Sequence, residues 1–166
     1  LIMSQIKVNS IVPVGGLPSG ASGGIIQIVQ GSTTSSTSDT GGTFVDTNIS
    51  ATITPSSSSN KIFAIATIQW ELYREASEVY GGLRLLRGST DVSNHESCIH
   101  HEAGTTGQSR IIAEGGYTIQ HLDSPATTSA TTYKIQCRTE ATGNSGRLRI
   151  SPHSAPSVIT LYEVST

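Results

Sequence analysis

His95, Cys98, His100, His101 and Glu102 stand close enough together in the chain to suggest metal chemistry. In a strand, Cys98 and His100 share one face with Glu96 and Glu102, because successive side chains alternate. A thiolate and an imidazole two residues apart are soft and borderline ligands of the kind zinc takes, and symmetry mates on a threefold axis would complete the shell. The competing reading is a polar strand or loop with one core cysteine. The sequence as a whole calls for no metal and no other cofactor.

Hydrolysis would need carboxylates. Asp39, Asp46, Glu71, Glu75, Glu78 and Asp123 are the loose ones, and a glycosidase needs two of them facing one bond at about 5 to 9 Å. Nothing in the spacing places two in that relation. There is no nucleophile elbow, phosphate loop or zinc-protease helix motif, and no internal repeat of the kind that builds long β-helices. The chain reads as non-enzymatic. A glycan-binding patch is the stronger candidate, since sugar sites use aromatic faces flanked by planar polar groups. With aromatics at 5%, the eligible residues are Trp70, Tyr73, Tyr80 and Tyr117. Trp70 falls on the apolar face of its strand and reads as core. Tyr73 and Tyr80 bracket the most charged stretch, Glu71 to Glu78, where Arg74 would serve as a bidentate donor. Tyr73, Arg74 and Tyr80 are therefore the expected binding residues for a host cell-surface glycan. The plain alternative is a solvated loop.

The elements that must hold these residues are strands. The 166 residues suit one β domain, with hydrophobic residues at 35% and charged residues at 13%, roughly half the usual charged share. Ser, Thr and Gly fill the gap, and Thr, Ile and Val punctuated by Gly favour strands and turns. A formal charge of −2 gives no electrostatic footprint for nucleic acid or an anionic membrane. No apolar run approaches the roughly 20 residues that span a bilayer. No signal peptide is legible, and Met3 is a plausible initiator after Leu1 and Ile2. Cys98 and Cys137 are too few for a disulfide framework. They read as reduced core thiols in a protein made in a cytoplasm, or else as a single bridge.

Residues 1–24 differ from the rest. Ile6, Val8, Ser10 and Val12 alternate with Lys7, Asn9, Ile11 and Pro13, and a Gly/Ser linker follows. This reads as an extended docking arm carried by Ile6, Val8 and Val12, or as a first strand of the main sheet. Residues 25–166 form the domain. Strands are predicted over Ile25 to Gln30, Phe44 to Thr54, Lys61 to Tyr73, Leu83 to Arg87, Glu96 to His101, Arg110 to Ala113, Tyr117 to Leu122, Thr131 to Thr139, Arg147 to Ile150 and Val158 to Val164. Gly31 to Gly42 reads as a loop too polar for burial, and only Tyr73 to Val79 could hide a helical turn. In Lys61 to Tyr73, Ile62, Ala64, Ala66, Ile68, Trp70 and Leu72 recur at period two, while Phe63 and Ile65 suggest burial on the second face too. The expected fold is all-β, a two-sheet antiparallel β-sandwich with jelly-roll-like connections. Val158, Thr160, Tyr162 and Val164 oppose Ile159 and Leu161 on the last strand. An edge strand apolar on both faces needs a partner, so one face is expected to meet a sister subunit. The alternative is a central strand covered by a loop.

Several segments together resemble tail-fibre and virion-structural proteins of marine and cyanobacterial phages. They are Ser4 to Pro13 with Gly23 to Gln30, Ile53 to Ile62, Leu83 to Ser89, Leu122 to Tyr133 and Ile159 to Val164, in order and over most of the chain. The resemblance implies a C1q-like or jelly-roll fibre domain, commonly a homotrimer, sited on the virion. Its partners would be its own copies, other virion proteins and a host surface. The chain carries neither the long shaft nor the tail-attachment domain typical of such fibres. A head fibre or capsid decoration protein, docked through Ser4 to Gly24, therefore stands as the alternative.

Overall fold

The computed structural model describes residues 24–75, 78–101, 111–140 and 145–166. The arm residues Ile6, Val8 and Val12, and Glu102 of the histidine cluster, lie outside these. The strands are β1 (Ile25–Thr33), β2 (Thr37–Asp39), β3 (Val45–Ile53), β4 (Lys61–Arg74), β5 (Val79–Arg87), β6 (Thr90–His101), β7 (Ile111–Asp123), β8 (Thr131–Thr139), β9 (Arg147–Ile150) and β10 (Ser157–Val164). A 3₁₀ turn, Pro152–Ser154, precedes β10, and there is no α-helix among the described residues.

Two antiparallel sheets result. In sheet I, β10 lies between β1 and β4; β7 follows the other side of β4, and β9 continues beyond β10 and carries β2. Sheet II has the order β3-β8-β5-β6. Setting aside the short β2 and β9, the eight long strands run 1-8-3-6 in one sheet and 2-7-4-5 in the other. First pairs with last, second with seventh, third with sixth and fourth with fifth. That is a long ribbon rolled on itself, a jelly roll.

The roll follows from the period-two pattern. Ile62, Ala64, Ala66, Ile68 and Leu72 of β4 point inward to Ile49, Ile53, Leu83, Leu85, Tyr133 and Ile135 of sheet II, all buried. Each fully buried Ile or Leu contributes roughly 1.5 to 3 kcal/mol, so a one-residue slip that turned such a strand inside out would be prohibitive. Between the sheets sits a polar pin. Asp123 of β7 accepts hydrogen bonds from Arg87 at 2.7 and 2.8 Å and from the Tyr133 hydroxyl at 2.6 Å. Burial, first, and the Asp123 carboxylate beside it push the Tyr133 phenol well above its ordinary range.

Four features depart from the sequence reading. The Gly31 to Gly42 segment is not a loop: it ends β1 and holds β2, and Asp39 is buried within it. Burial is tolerable because Asp39 accepts the Thr139 amide at 2.6 Å and the Gly41 and Gly42 amides at 3.1 and 3.3 Å. Gly31 itself sits where a Cβ would lie 1.9 Å from the Ser50 carbonyl oxygen, so β1 presses backbone to backbone on β3. The two short strands expected on either side of Gly115-Gly116 are one, β7. There the glycine admits a ring rather than a turn, for a Cβ on Gly115 would meet Trp70 at 2.7 Å. The segment from Tyr73 to Val79 holds strand ends and no helix among its described residues. Finally, β10 is a central strand, not an edge.

Candidate functional site

The residues expected to bind glycan fall on both sheets. Tyr73 and Arg74 end β4, and Tyr80 lies in β5. The Tyr73 hydroxyl donates to Glu75 at 3.0 Å, and the Arg147 guanidinium lies 5.0 Å from its ring centre. Arg74 donates to the Glu78 carbonyl, and the Tyr80 hydroxyl donates to the Glu78 carboxylate. The Tyr80 ring stacks on His100 at 4.3 Å. Arg74 and Tyr80 thus meet at Glu78, and the Tyr73 hydroxyl is held by Glu75.

Cys98 and His100 make separate contacts. Ser97, between β6 residues, has φ 49, and the register with β5 shifts there. The Cys98 thiol is half-buried and faces the Gly81 carbonyl, while the His100 ring lies on Tyr80. Burial pushes the Cys98 thiol up to about 11 and that of buried Cys137 up to about 12. Both cysteines are free.

The potential ligands that do converge, among the described residues, are Glu71, Glu114 and His153. Glu71 is buried, with Arg147 at 2.7 Å and Arg149 at 3.7 Å from Oε1 and His153 at 3.4 Å from Oε2. His153 reaches Glu114 at 3.0 Å. Two guanidiniums already neutralise Glu71, so the group ties β4, β7, β9 and the 3₁₀ turn together as an ion-pair cluster. Spread over four elements, it leaves no local motif in the sequence.

What distinguishes the molecule is a contrast between the outer face of sheet II and the end of sheet I's outer face that lies away from the Glu71 cluster. Sheet II is charged outside. Asp46 accepts from Lys134 at 2.7 Å and Gln136 at 2.6 Å, Arg84 joins Gln136 at 2.7 Å, and Arg138 joins Glu96 at 3.2 Å. Hydrogen bonding to Lys134 and Gln136 holds the Asp46 carboxyl below its ordinary range. Arg84 and Arg138 also cover the Phe44 ring at 4.2 and 4.8 Å. This face is built for water.

Sheet I is different. Register places Ile28 of β1 beside Tyr162 of β10, Tyr162 beside Phe63 of β4, and Phe63 beside Leu122 of β7. An apolar row therefore crosses four strands, with the Phe63 and Tyr162 ring centres 6.3 Å apart. Ile28 and Leu122 at its ends are 58% and 52% exposed. The next rows, Gln30–Thr160–Ile65–Gln120 and Ser32–Val158–Thr67–Thr118, carry no charge. On the other side lie Ile25, Ile26, Val164 and, at the border, Lys61. Side chains from Val158 to Val164 span about 20 Å along the strands and four strands span about 14 Å, roughly 300 Å² of sheet in which the apolar row is flanked by rows mixing Ile and Val with Gln, Ser and Thr. The sequence pattern found the Val158 to Val164 face. It missed Ile28 and Leu122, which join it only through the register. Phe63 and Ile65, expected to be buried, are half-buried on this same face.

Beneath the patch, Glu163 anchors its rim. It is fully buried and accepts from Gln27 at 2.5 Å, Asn60 at 2.6 Å, and the Ser56 amide and hydroxyl at 2.7 Å each. Burial pushes this carboxyl up, but the hydrogen bonds outweigh it and hold it at about 2 against an ordinary 4.5. A depressed carboxyl stabilises the fold above its unfolded value and loses that contribution as pH falls. Stability should therefore drop by about 3 kcal/mol between about pH 4.5 and pH 2. Urea unfolding across that window checks it, and Glu163→Gln should flatten the dependence.

No family model and no curated protein matches the chain. Comparison of folds finds infectious bursal virus-derived T=1 particles, with 16% identity over 93% of this chain and 41% of that one, at a TM-score of 0.34. A mutant VP2 protein of infectious bursal disease virus is similar at 16% identity over 98% of this chain and 44% of that one, again at 0.34. The chain spans less than half the length of those proteins. Likeness at this level does not transfer function.

Proposed function

We propose that this chain is a non-enzymatic structural protein of a bacteriophage particle, a fibre or fibre tip that assembles as a homotrimer and works by contact. The observation that carries the reading is the uncharged stretch of sheet I's outer face around the row Ile28–Tyr162–Phe63–Leu122, away from the Glu71 ion-pair cluster at the other end of that face, set against the ion-paired outer face of sheet II. A jelly roll needs only its inner faces to fold. Apolar area on one outer face is surplus to folding and favours association, which the hydrophobic effect drives as it drives the core. The buried carboxylates Asp39, Glu71, Asp123 and Glu163 are each engaged by donors of the chain itself, which suits a scaffold. The phage setting is supported by the segmental resemblance in the sequence. Host contact, with the Tyr73, Arg74 and Tyr80 end touching a surface glycan, would need only weak single sites, because tethered copies raise avidity by roughly 10² to 10⁴.

Light-scattering mass of the purified full chain tests the assembly. A value near three times 17.4 kDa is expected. A monomer at micromolar concentration would overturn the reading.

A further inference from the structure

The apolar row Ile28–Tyr162–Phe63–Leu122 needs a cover, and the chain has a segment of matching chemistry tethered at its border. We infer that residues 4–13 of a neighbouring copy lie across the outer face of sheet I, so that the assembly is held by exchanged arms. The inference rests on the reading that the protein assembles through this face.

The described chain begins at a fixed point. The Gly24 amide donates to the Ser165 hydroxyl at 3.1 Å, and the Ser165 amide donates to the Gly24 carbonyl at 3.0 Å. Next to it, Ile25 pairs with Val164 at the margin of the patch, 60% exposed. Everything N-terminal to Gly24 is therefore tethered at the rim of the uncovered face, where a tether gives a high effective concentration.

The sequence of that segment fits the face. Ile6, Val8 and Val12 fall on one side of an extended chain, and Lys7, its one charge from Ser4 to Pro13, falls on the other. An uncharged apolar edge laid on the uncharged rows around Phe63 and Tyr162 buries no unpaired charge. Ten extended residues reach about 33 Å, more than twice the roughly 14 Å width of four strands. Val14 to Gly23 can span at most about 35 Å. Direction separates a neighbour's face from the chain's own. β1 runs from Ile25 into the sheet, so its axis, followed backward, leads off the molecule past the Val164 end. An arm leaving that way meets another copy without reversing.

The test uses the full chain carrying Ile6→Asp, Val8→Asp and Val12→Asp together, with deletion of residues 1–13 as a second variant. Light-scattering mass and the fluorescence of an apolar-surface dye are read for each, with circular dichroism to confirm the β fold. Both variants should fall from the wild-type trimer mass to one third of it, and dye fluorescence should rise several-fold. Unchanged mass in both variants would overturn the arm while leaving assembly through sheet I intact. A monomeric wild type whose variants still gain dye fluorescence would mean the arm covers its own face, which overturns the exchange. If Phe63→Lys also leaves the mass unchanged, the failure belongs to the assembly reading and not to the arm alone.

Discussion

Phe63→Lys is expected to break the assembled protein into single chains of 17.4 kDa. Phe63 sits in the middle of the apolar row, between Tyr162 and Leu122. On a solvated sheet face the substitution would be nearly neutral, within about 0.5 kcal/mol, as most surface changes are. Under a partner it places an ammonium against apolar side chains with no acidic residue in the neighbouring rows to receive it. An unpaired buried charge costs several kcal/mol, and about 4 kcal/mol is roughly a thousandfold in a dissociation constant. The fold itself should survive, because the side chain faces away from the core between the sheets. Light-scattering mass and thermal unfolding measured together separate the two effects. A variant that keeps the wild-type mass would count against the interface.

Asp123→Ala acts on the opposite side of the sheet and should cost the fold about 3 kcal/mol, the low end for breaking a buried ion pair. The carboxylate joins both Arg87 and Tyr133 of sheet II to β7 of sheet I, and Arg87 also donates to the Ser124 carbonyl at 3.3 Å. Without it the fully buried Tyr133 hydroxyl loses its acceptor, and the Arg87 guanidinium, about a quarter exposed, keeps only the Ser124 carbonyl and water. For a chain of this size that loss lowers the unfolding midpoint by roughly 6 to 12 °C. Denaturant unfolding monitored by tyrosine and tryptophan signals reads it directly. A change below about 0.5 kcal/mol would mean the pin is ornamental.

Much of the architecture was legible because strand chemistry is local. The alternation from Ile62 to Leu72 predicts both the strand and its inner face, and the inner face is found as expected apart from half-buried Trp70. What the pattern misled on were places where a distant residue decides. Gly115-Gly116 reads as a turn until the Trp70 ring is found lying against it. Asp39 reads as loop until the Thr139 amide is found to need an acceptor. The contact face was half legible. Val158 to Val164 announced a second apolar side on one strand, but its extension to Ile28 and Leu122 depends on register, which no single segment encodes. The Glu71 cluster draws on β4, β7, β9 and the 3₁₀ turn, so no spacing in the chain could have pointed to it.

Hydroxyl-radical footprinting of the assembled chain compares the two outer faces in one experiment. Phe63 and Tyr162 on sheet I, and Phe44 and Tyr80 on sheet II, are all half-buried within a single copy, so neither pair is sealed by the fold of one chain. If sister copies meet through sheet I, Phe63 and Tyr162 will be oxidised several-fold more slowly than Phe44 and Tyr80. Equal oxidation of both pairs at a concentration where the protein is multimeric would contradict it.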